Sequence, residues 1–295
     1  MSDTILVTGA SGHLGQAVIT HLLDSQGVAP SRIIAGTRNT DKLSALAAKG
    51  VALRKVDFDD AAGLEKAFAG VGTVLIVSTD ALDGAGTRLR QHKAAVAAAK
   101  KAGVARLAYT SLPVPETSRV SFAPDHLGTE EAIKATGIPY LLFRDSWYLE
   151  NLFMSLPNAL KSGQWYTSAA DGKTSYVARD DIAAAIAGAL ANPPAGSATY
   201  TLTGDEAFTN DQIAALASEI TGKPLQVVHL TDEQLAGGMK AAGVPEAIIP
   251  TLVSFDTATR TGGLGTVTGD TAKLSGRKLQ TLREFLTANK AAFAG

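Results

Sequence analysis

A chain of 295 residues, 45% hydrophobic and 19% charged, is long enough for one large α/β domain or for a nucleotide-binding core with a smaller lobe. Its formal net charge of −1 provides no global basic field, so neither nucleic acid nor a membrane surface is expected as a partner. The absence of cysteine removes disulfides, zinc–thiolate sites, iron–sulfur clusters and thiol nucleophiles together.

The opening MSDTILVTG lacks the basic stretch and cleavage site of a signal peptide. No apolar run approaches the roughly 20 residues needed to span a bilayer, so a cytoplasmic protein is expected. In chain order, strands are predicted at Thr4–Thr8, Arg32–Thr37, Val51–Val56, Thr73–Ser78, Arg106–Thr110 and Tyr140–Arg144. Between them fall helices near His13–Ser25, Asp41–Lys49, Ala62–Ala69, Thr87–Ala102 and His126–Thr136. The strands are continuous apolar runs rather than alternating ones, as in parallel strands covered on both faces. Strand–helix alternation at this spacing implies right-handed crossovers and a doubly wound parallel sheet of the Rossmann type.

After about Leu149 helices dominate, at Arg179–Ala191, Asn210–Thr221, Asp232–Ala242 and Lys278–Lys290. Short strands are predicted near Thr174–Val177, Ala198–Leu202 and Gln226–His229. The expected division is a dinucleotide-binding domain over 1–150 and a smaller C-terminal α/β lobe over 151–295. That lobe carries the substrate pocket and returns some strands to the sheet.

The first strand runs into Gly9-Ala10-Ser11-Gly12-His13-Leu14-Gly15, a G-x-x-G-x-x-G loop that opens a helix. Gly9 permits the tight turn, Gly12 lets the backbone approach a pyrophosphate, and Gly15 lets helix and strand pack closely. The helix N-terminus offers free N–H groups to phosphate, and Ser11 can add a hydroxyl. Strand, glycine loop and helix together are the context this motif requires.

An NAD-preferring fold ends its second strand on a carboxylate that binds the ribose 2′-hydroxyl. Here Thr37-Arg38-Asn39 stands there, with no Asp or Glu between Ser31 and Thr40, and Lys42 follows one turn on. Arg38 can pair with a 2′-phosphate, which points to NADPH. Asp57-Phe58 ends the third strand, where it either edges the adenine or caps a turn. Ser78-Thr79 ends the fourth strand, at the switch point of the sheet. The five histidines show no metal-ligand spacing, so no metal is expected. There is no G-x-S-x-G elbow, which argues against hydrolase chemistry. Gly262-Gly263-Leu264-Gly265 lacks the strand–helix context and reads as a flexible loop.

The glycine loop, Thr37-Arg38-Asn39, Val56-Asp57-Phe58-Asp59-Asp60, Ala108-Tyr109-Thr110-Ser111-Leu112 and Arg144-Asp145-Ser146-Trp147-Tyr148-Leu149-Glu150-Asn151 together resemble the NmrA-like branch of the atypical short-chain dehydrogenase/reductases. Within that branch the likeness is to bacterial NADPH:quinone oxidoreductases first and to triphenylmethane dye reductases next. It includes the Ala170-Asp171-Gly172-Lys173 turn and the Arg179-Asp180-Asp181 helix start, and weakens after about Gly262. The resemblance implies NADP(H) contacts at Gly9, Ser11, Gly12, His13, Leu14, Arg38, Asp57, Phe58 and Ser78. It also implies that Thr110, Ser111, Trp147, Tyr148 and Asn151 lie near the nicotinamide, and that hydride passes to a small-molecule electron acceptor such as a quinone.

Typical reductases of that superfamily use Tyr-x-x-x-Lys as their acid pair, and no tyrosine here has lysine four residues on. The corresponding segment reads His126-Leu127-Gly128-Thr129-Glu130. Reducing an aliphatic ketone generates an alkoxide, which needs a positioned acid. Reducing a quinone generates a phenolate-like anion whose conjugate acid has a pKa near ~10, so water can finish the protonation. The residues therefore fit direct hydride transfer to a conjugated acceptor, oriented by the site. Ser111 is a candidate for binding the acceptor oxygen. His126 reads either as a proton donor or as a structural helix-start residue. Two rivals stay open: a non-catalytic NADP(H)-sensing regulator, and a carbonyl reductase whose acid has moved to His126 or Tyr148. The sequence leaves the acceptor and a possible homo-oligomer undecided.

Overall fold

The computed structural model describes residues 3–82 and 85–294. The apolar runs become six parallel strands: β1 (Ile5–Val7), β2 (Ile33–Thr37), β3 (Ala52–Lys55), β4 (Thr73–Ile76), β5 (Arg106–Ser111) and β6 (Tyr140–Asp145). Further on, β7 (Gln164–Thr167) pairs with β9 (Gln226–His229) in a separate two-stranded sheet, while β8 (Ala198–Leu202) joins the main one. The main sheet has the order β3-β2-β1-β4-β5-β6-β8, and every pairing in it is parallel. Strand order reverses between β1 and β4, and a crevice opens there beyond the strands' carboxyl ends. The fold is the doubly wound α/β sheet that the alternation of runs implies.

The connecting helices are α1 (His13–Asp24), α2 (Ser44–Ala48), α3 (Ala61–Phe68), α4 (Thr87–Lys101) and α5 (Ala123–Lys134). Successive strand residues point to opposite faces. Ile5 and Val7 therefore join the core beneath α1, whereas Leu6 joins the one formed with Leu64, Val96 and Ile133 of α3, α4 and α5. Beyond residue 150 come α6 (Leu156–Ser162), α7 (Arg179–Ala191), α8 (Asn210–Thr221), α9 (Asp232–Ala241), α10 (Ile249–Arg260), α11 (Asp270–Ser275), α12 (Leu282–Ala288) and α13 (Lys290–Ala294). A third core, containing Leu152, Trp165, Ile213 and Phe285, lies under these elements. Among the described residues no helix is long and apolar enough to cross a membrane.

Helix α7 is buried without a break from Asp181 to Leu190 because α1 and α11 pack on it from two sides. A helix apolar all round belongs inside a protein, and here it carries the C-terminal half onto the nucleotide-binding face. The approach is close: a β-carbon at Gly188 would lie 2.1 Å from the carbonyl oxygen of Leu274.

The structure departs from the sequence reading in the C-terminal half. Thr174–Val177 is not a strand; it makes only isolated bridges, Thr174 with Phe208 and Val177 with Tyr148. Helix α10 escapes the sequence reading because it is rich in β-branched residues and opens on Ile249-Pro250, yet proline in a first turn loses no helical hydrogen bond. The short elements α6, β7 and α11 have too few residues to show a period. The single helix expected at Lys278–Lys290 is two, starting at a Thr281–Glu284 capping box and interrupted at Asn289. The segment 262–265 is not a flexible loop but an ordered turn. Gly263 N–H donates to Ala258 at 2.8 Å, Leu264 is buried, and the Leu264 carbonyl accepts from Ser175 N–H at 2.8 Å.

Gly188→Ala should force α7 and α11 apart and cost about 1–3 kcal/mol, the range for overpacking a tight core. Thermal denaturation should show a melting temperature several degrees lower; an unchanged midpoint would contradict the packing described.

Candidate functional site

A cleft of about 700 Å³ runs along the carboxyl ends of β1, β2 and β4 and is closed by the segment after β6 and the start of α7. Its floor is the glycine loop. Gly9 adopts φ +61°, which an L side chain rarely tolerates. A β-carbon at Gly15 would stand 2.4 Å from the Gly9 carbonyl oxygen, so only glycine lets α1 come this near β1. Gly12 caps α1 with no side-chain hydrogen bond, and the first turn carries no acidic residue. Its leading N–H groups therefore lack helical partners and offer partial positive charge to an anion. Ser11 and Thr37 hydroxyls join at 2.9 Å, tying the loop to the end of β2.

Arg38 is exposed on the cleft wall. Lys42 is not part of the lining. Asp57 lines the cleft, and its carboxylate accepts the Asp59 N–H at 3.1 Å, closing a turn. Phe58 stands beside it. Ser78 and Thr79 line the switch point, and Ser78 N–H donates to the Thr110 hydroxyl at 2.9 Å. Thr110 thus supports Ser78 from behind rather than facing the cleft. Ala10 is likewise fully buried, its N–H donating to Gly36 at 3.0 Å.

The candidate catalytic residues part company. Tyr148 lines the cleft beside Asn151, with the Arg179 guanidinium 5.0 Å from its ring centre. Burial pushes its phenol well above the usual tyrosine range, and burial likewise pushes the neighbouring Asp145 carboxyl well above the usual carboxylate range. Tyr148 therefore keeps its proton at neutral pH. Ser111 is a correction: it is buried and donates to Glu130 at 2.7 Å, and Arg144 binds the same carboxylate. Trp147 packs on Phe255 at 4.6 Å between ring centres and is not among the lining residues.

His126 is the second correction. It is 3% exposed and does not reach the cleft. Arg88 Nη2 donates to its Nε2 at 2.9 Å, so its Nδ1–H donates to the Tyr109 oxygen at 2.8 Å. Nearby, Thr79 N–H donates to His92 Nε2 at 3.0 Å, which leaves His92 Nδ1–H facing the Thr129 hydroxyl at 3.0 Å. Thr129 in turn donates to the Asp125 carbonyl at 2.6 Å. Every bond in this array is satisfied only when both rings are neutral. Desolvation, with the Arg88 charge adding to it, lowers His126 well below 6.5 and takes His92 to about 3.

Sequence reasoning missed Arg88, Gln91 and Arg179, all of which line the cleft. Arg88 and Gln91 sit in a lysine- and arginine-rich helix start that looks like a solvated face, and only the packing of α4 against α5 turns Arg88 inward.

The residues present fit a dinucleotide: a glycine cradle whose β-carbon positions are closed, an uncapped helix start, and a cation at the end of β2. Fold and cleft together define a Rossmann-type nucleotide-binding protein. The model of the NmrA-like family matches residues 1–286, and the chain belongs to that family. It is 37% identical over 280 residues to quinone oxidoreductase 2 of Escherichia coli K12, covering 95% of this chain and 96% of that protein. A crystal structure of the E. coli NADPH-dependent quinone oxidoreductase complexed with NADPH superposes with a TM-score of 0.91 at 36% identity, over 97% of this chain and 99% of that one. The Citrobacter sp. triphenylmethane reductase complexed with NADP(H) gives 0.89 at 36% identity, over the same 97% and 99%.

Nitrogen-15 NMR of the histidine rings should find His92 and His126 in the Nδ1–H tautomer, with no titration between about pH 5 and 8. Because their native pKa values lie below the unfolded value, stability should be full above about 6.5 and decline as pH falls toward 3. A ring that titrates near its ordinary value in the native protein would break this account.

Proposed function

We propose that this chain is an NADPH-dependent oxidoreductase that delivers hydride to a quinone or similarly conjugated acceptor, working in the cytoplasm. One observation carries the reading: a phosphate cradle and Arg38 flank one cleft, while neither Ser111 nor His126 presents an acid to it. The kinship with a quinone oxidoreductase and a dye reductase supports the same reaction class.

When bound, NADPH supplies the hydride. The protein's own work is positional. The N–H groups at the head of α1 hold the diphosphate, where helix partial charge favours an anion. Arg38 pairs with the 2′-phosphate by charge-assisted hydrogen bonds. Ser78, held by Thr110, and Thr79, held by His92, fix the wall at the switch point. Tyr148 keeps its proton and acts as a neutral hydrogen-bond donor and an aromatic wall, not as a base. A conjugated acceptor needs no more, because its anion is weakly basic and can be protonated by water. Holding donor and acceptor in register then supplies most of the rate.

The purified protein should oxidise NADPH when given a benzoquinone, followed at the absorbance of the reduced nicotinamide. Arg38→Ala should weaken NADPH by about 1.5–3 kcal/mol, the range for a hydrogen bond to a charged group, and leave NADH nearly untouched. Equal losses for the two cofactors would remove the 2′-phosphate assignment, and no turnover across a panel of quinones and dyes would remove the reaction.

A further inference from the structure

Five buried side-chain polar atoms among the described residues have no hydrogen-bond partner, and three of them, Thr79 Oγ1, Arg88 Nε and Gln91 Oε1, belong to residues lining this one cleft. Unpaired buried donors are costly, and they persist where a ligand completes them. Arg88 and Thr79 are directly joined, since an Arg88 Nη1–H donates to the Thr79 carbonyl. Two unfilled donors, a guanidinium N–H and a hydroxyl, therefore belong to two directly bonded residues of the switch-point wall.

We propose that Arg88 and Thr79 form an oxyanion site that holds the oxygen of a quinone-type acceptor as it becomes anionic, and that Arg88 is a catalytic residue. The inference rests on the reaction proposed above. A quinone that takes up a hydride with its electron pair at one end of its conjugated system carries the negative charge on the oxygen at the other end. Arg88 Nε–H and the Thr79 hydroxyl donate to that oxygen, and a proton from water completes the hydroquinone. No protein group has to give up a proton.

Burial works against the Arg88 charge and lowers its pKa, and Tyr109, Asp125 and Asp80 partly offset that cost. Arg88 is 6% exposed and makes no salt bridge among the described residues, with Asp80 and Asp125 acting on it only at longer range. Its guanidinium rests 5.0 Å from the Phe122 ring centre. On its other side His126 and His92 are held neutral, so neither competes with it for an anion. An oriented charge in such a dry setting stabilises a developing oxyanion more than water does. The other arginines of the cleft have other tasks: Arg38 stands at the end of β2, and Arg179 lies against Tyr148. Arg88 instead reaches His126, in the segment where the acid pair of related reductases would lie, and so puts a stabilising cation where a proton donor is missing.

The test compares wild type with Arg88→Gln, Arg88→Lys and Thr79→Val in the full chain loaded with NADP+. Calorimetry would measure binding of 4-nitrophenol, whose ionised form mimics the reduced acceptor, across the pH range of its ionisation. Wild type should bind the phenolate more tightly than the phenol. Arg88→Gln should lose that preference by on the order of tenfold or more and lower kcat/KM with benzoquinone by on the order of a hundredfold. Thr79→Val should lose about tenfold, and Arg88→Lys should recover part of the preference. Should Arg88→Gln fail to fold, the other two variants carry the comparison. Affinity for NADPH, measured separately, should stay within about twofold of wild type in Arg88→Gln and Arg88→Lys, a change under 0.5 kcal/mol. Unchanged phenolate preference overturns the proposal, and so does a loss of NADPH affinity as large as the loss of phenolate affinity. A wild type that reduces no quinone sinks the reaction itself, whereas active wild type with equally active variants sinks only the oxyanion site.

Discussion

Helix α1 meets strand β1 so closely that a methyl group on Gly15 would collide with the Gly9 carbonyl. This approach aims the unpartnered N–H groups of the helix start along the crevice between β1 and β4. It also brings α1 against α7, which carries the start of α7, with Arg179, to the cleft. His21 on α1 and Asp180 on α7 meet at 2.8 Å, so the two helices are held by a hydrogen bond as well as by packing. The phosphate cradle and the wall facing it thus follow from one tight contact. Any side chain at position 15 would disturb both.

A second constraint shapes the chemistry. The inner end of the cleft is backed by two histidines, a tyrosine and a threonine bonded so completely that no proton has room to be added. The array grips both main-chain polar groups of one residue, since Thr79 N–H donates to His92 and the Thr79 carbonyl accepts from Arg88. Groups that elsewhere trade protons are here structural. What the cleft retains is orientation and a single buried cation, which suits acceptors whose reduced forms are stable anions.

The sequence disclosed the parts whose signal is local. Gly9, Gly12 and Gly15 follow an apolar strand, and Arg38 stands where a carboxylate is missing, so both could be read before any packing was known. The central strands of the main sheet were equally plain, because burial on both faces leaves unbroken apolar runs such as Ile5–Val7 and Val74-Leu75-Ile76. Short elements such as β7 and α11 were not, since they have too few residues to show a period and are held by tertiary contacts. Side-chain direction was also hidden. Ser111 lies at the expected strand end, yet its hydroxyl turns to Glu130, a pairing set by α5 packing on β5. Arg88 looked like one of several surface cations in a charged helix start. Its burial depends on Phe122 and His126, more than thirty residues later in the chain.

Backbone amide resonances of Gly12, His13 and Leu14 during titration with NADPH report most directly on the head of α1 as the diphosphate grip. The account predicts downfield proton shifts at these amides as their N–H groups gain charged acceptors, saturating with the binding isotherm. Saturable NADPH binding that leaves these three resonances in place while others move would contradict it.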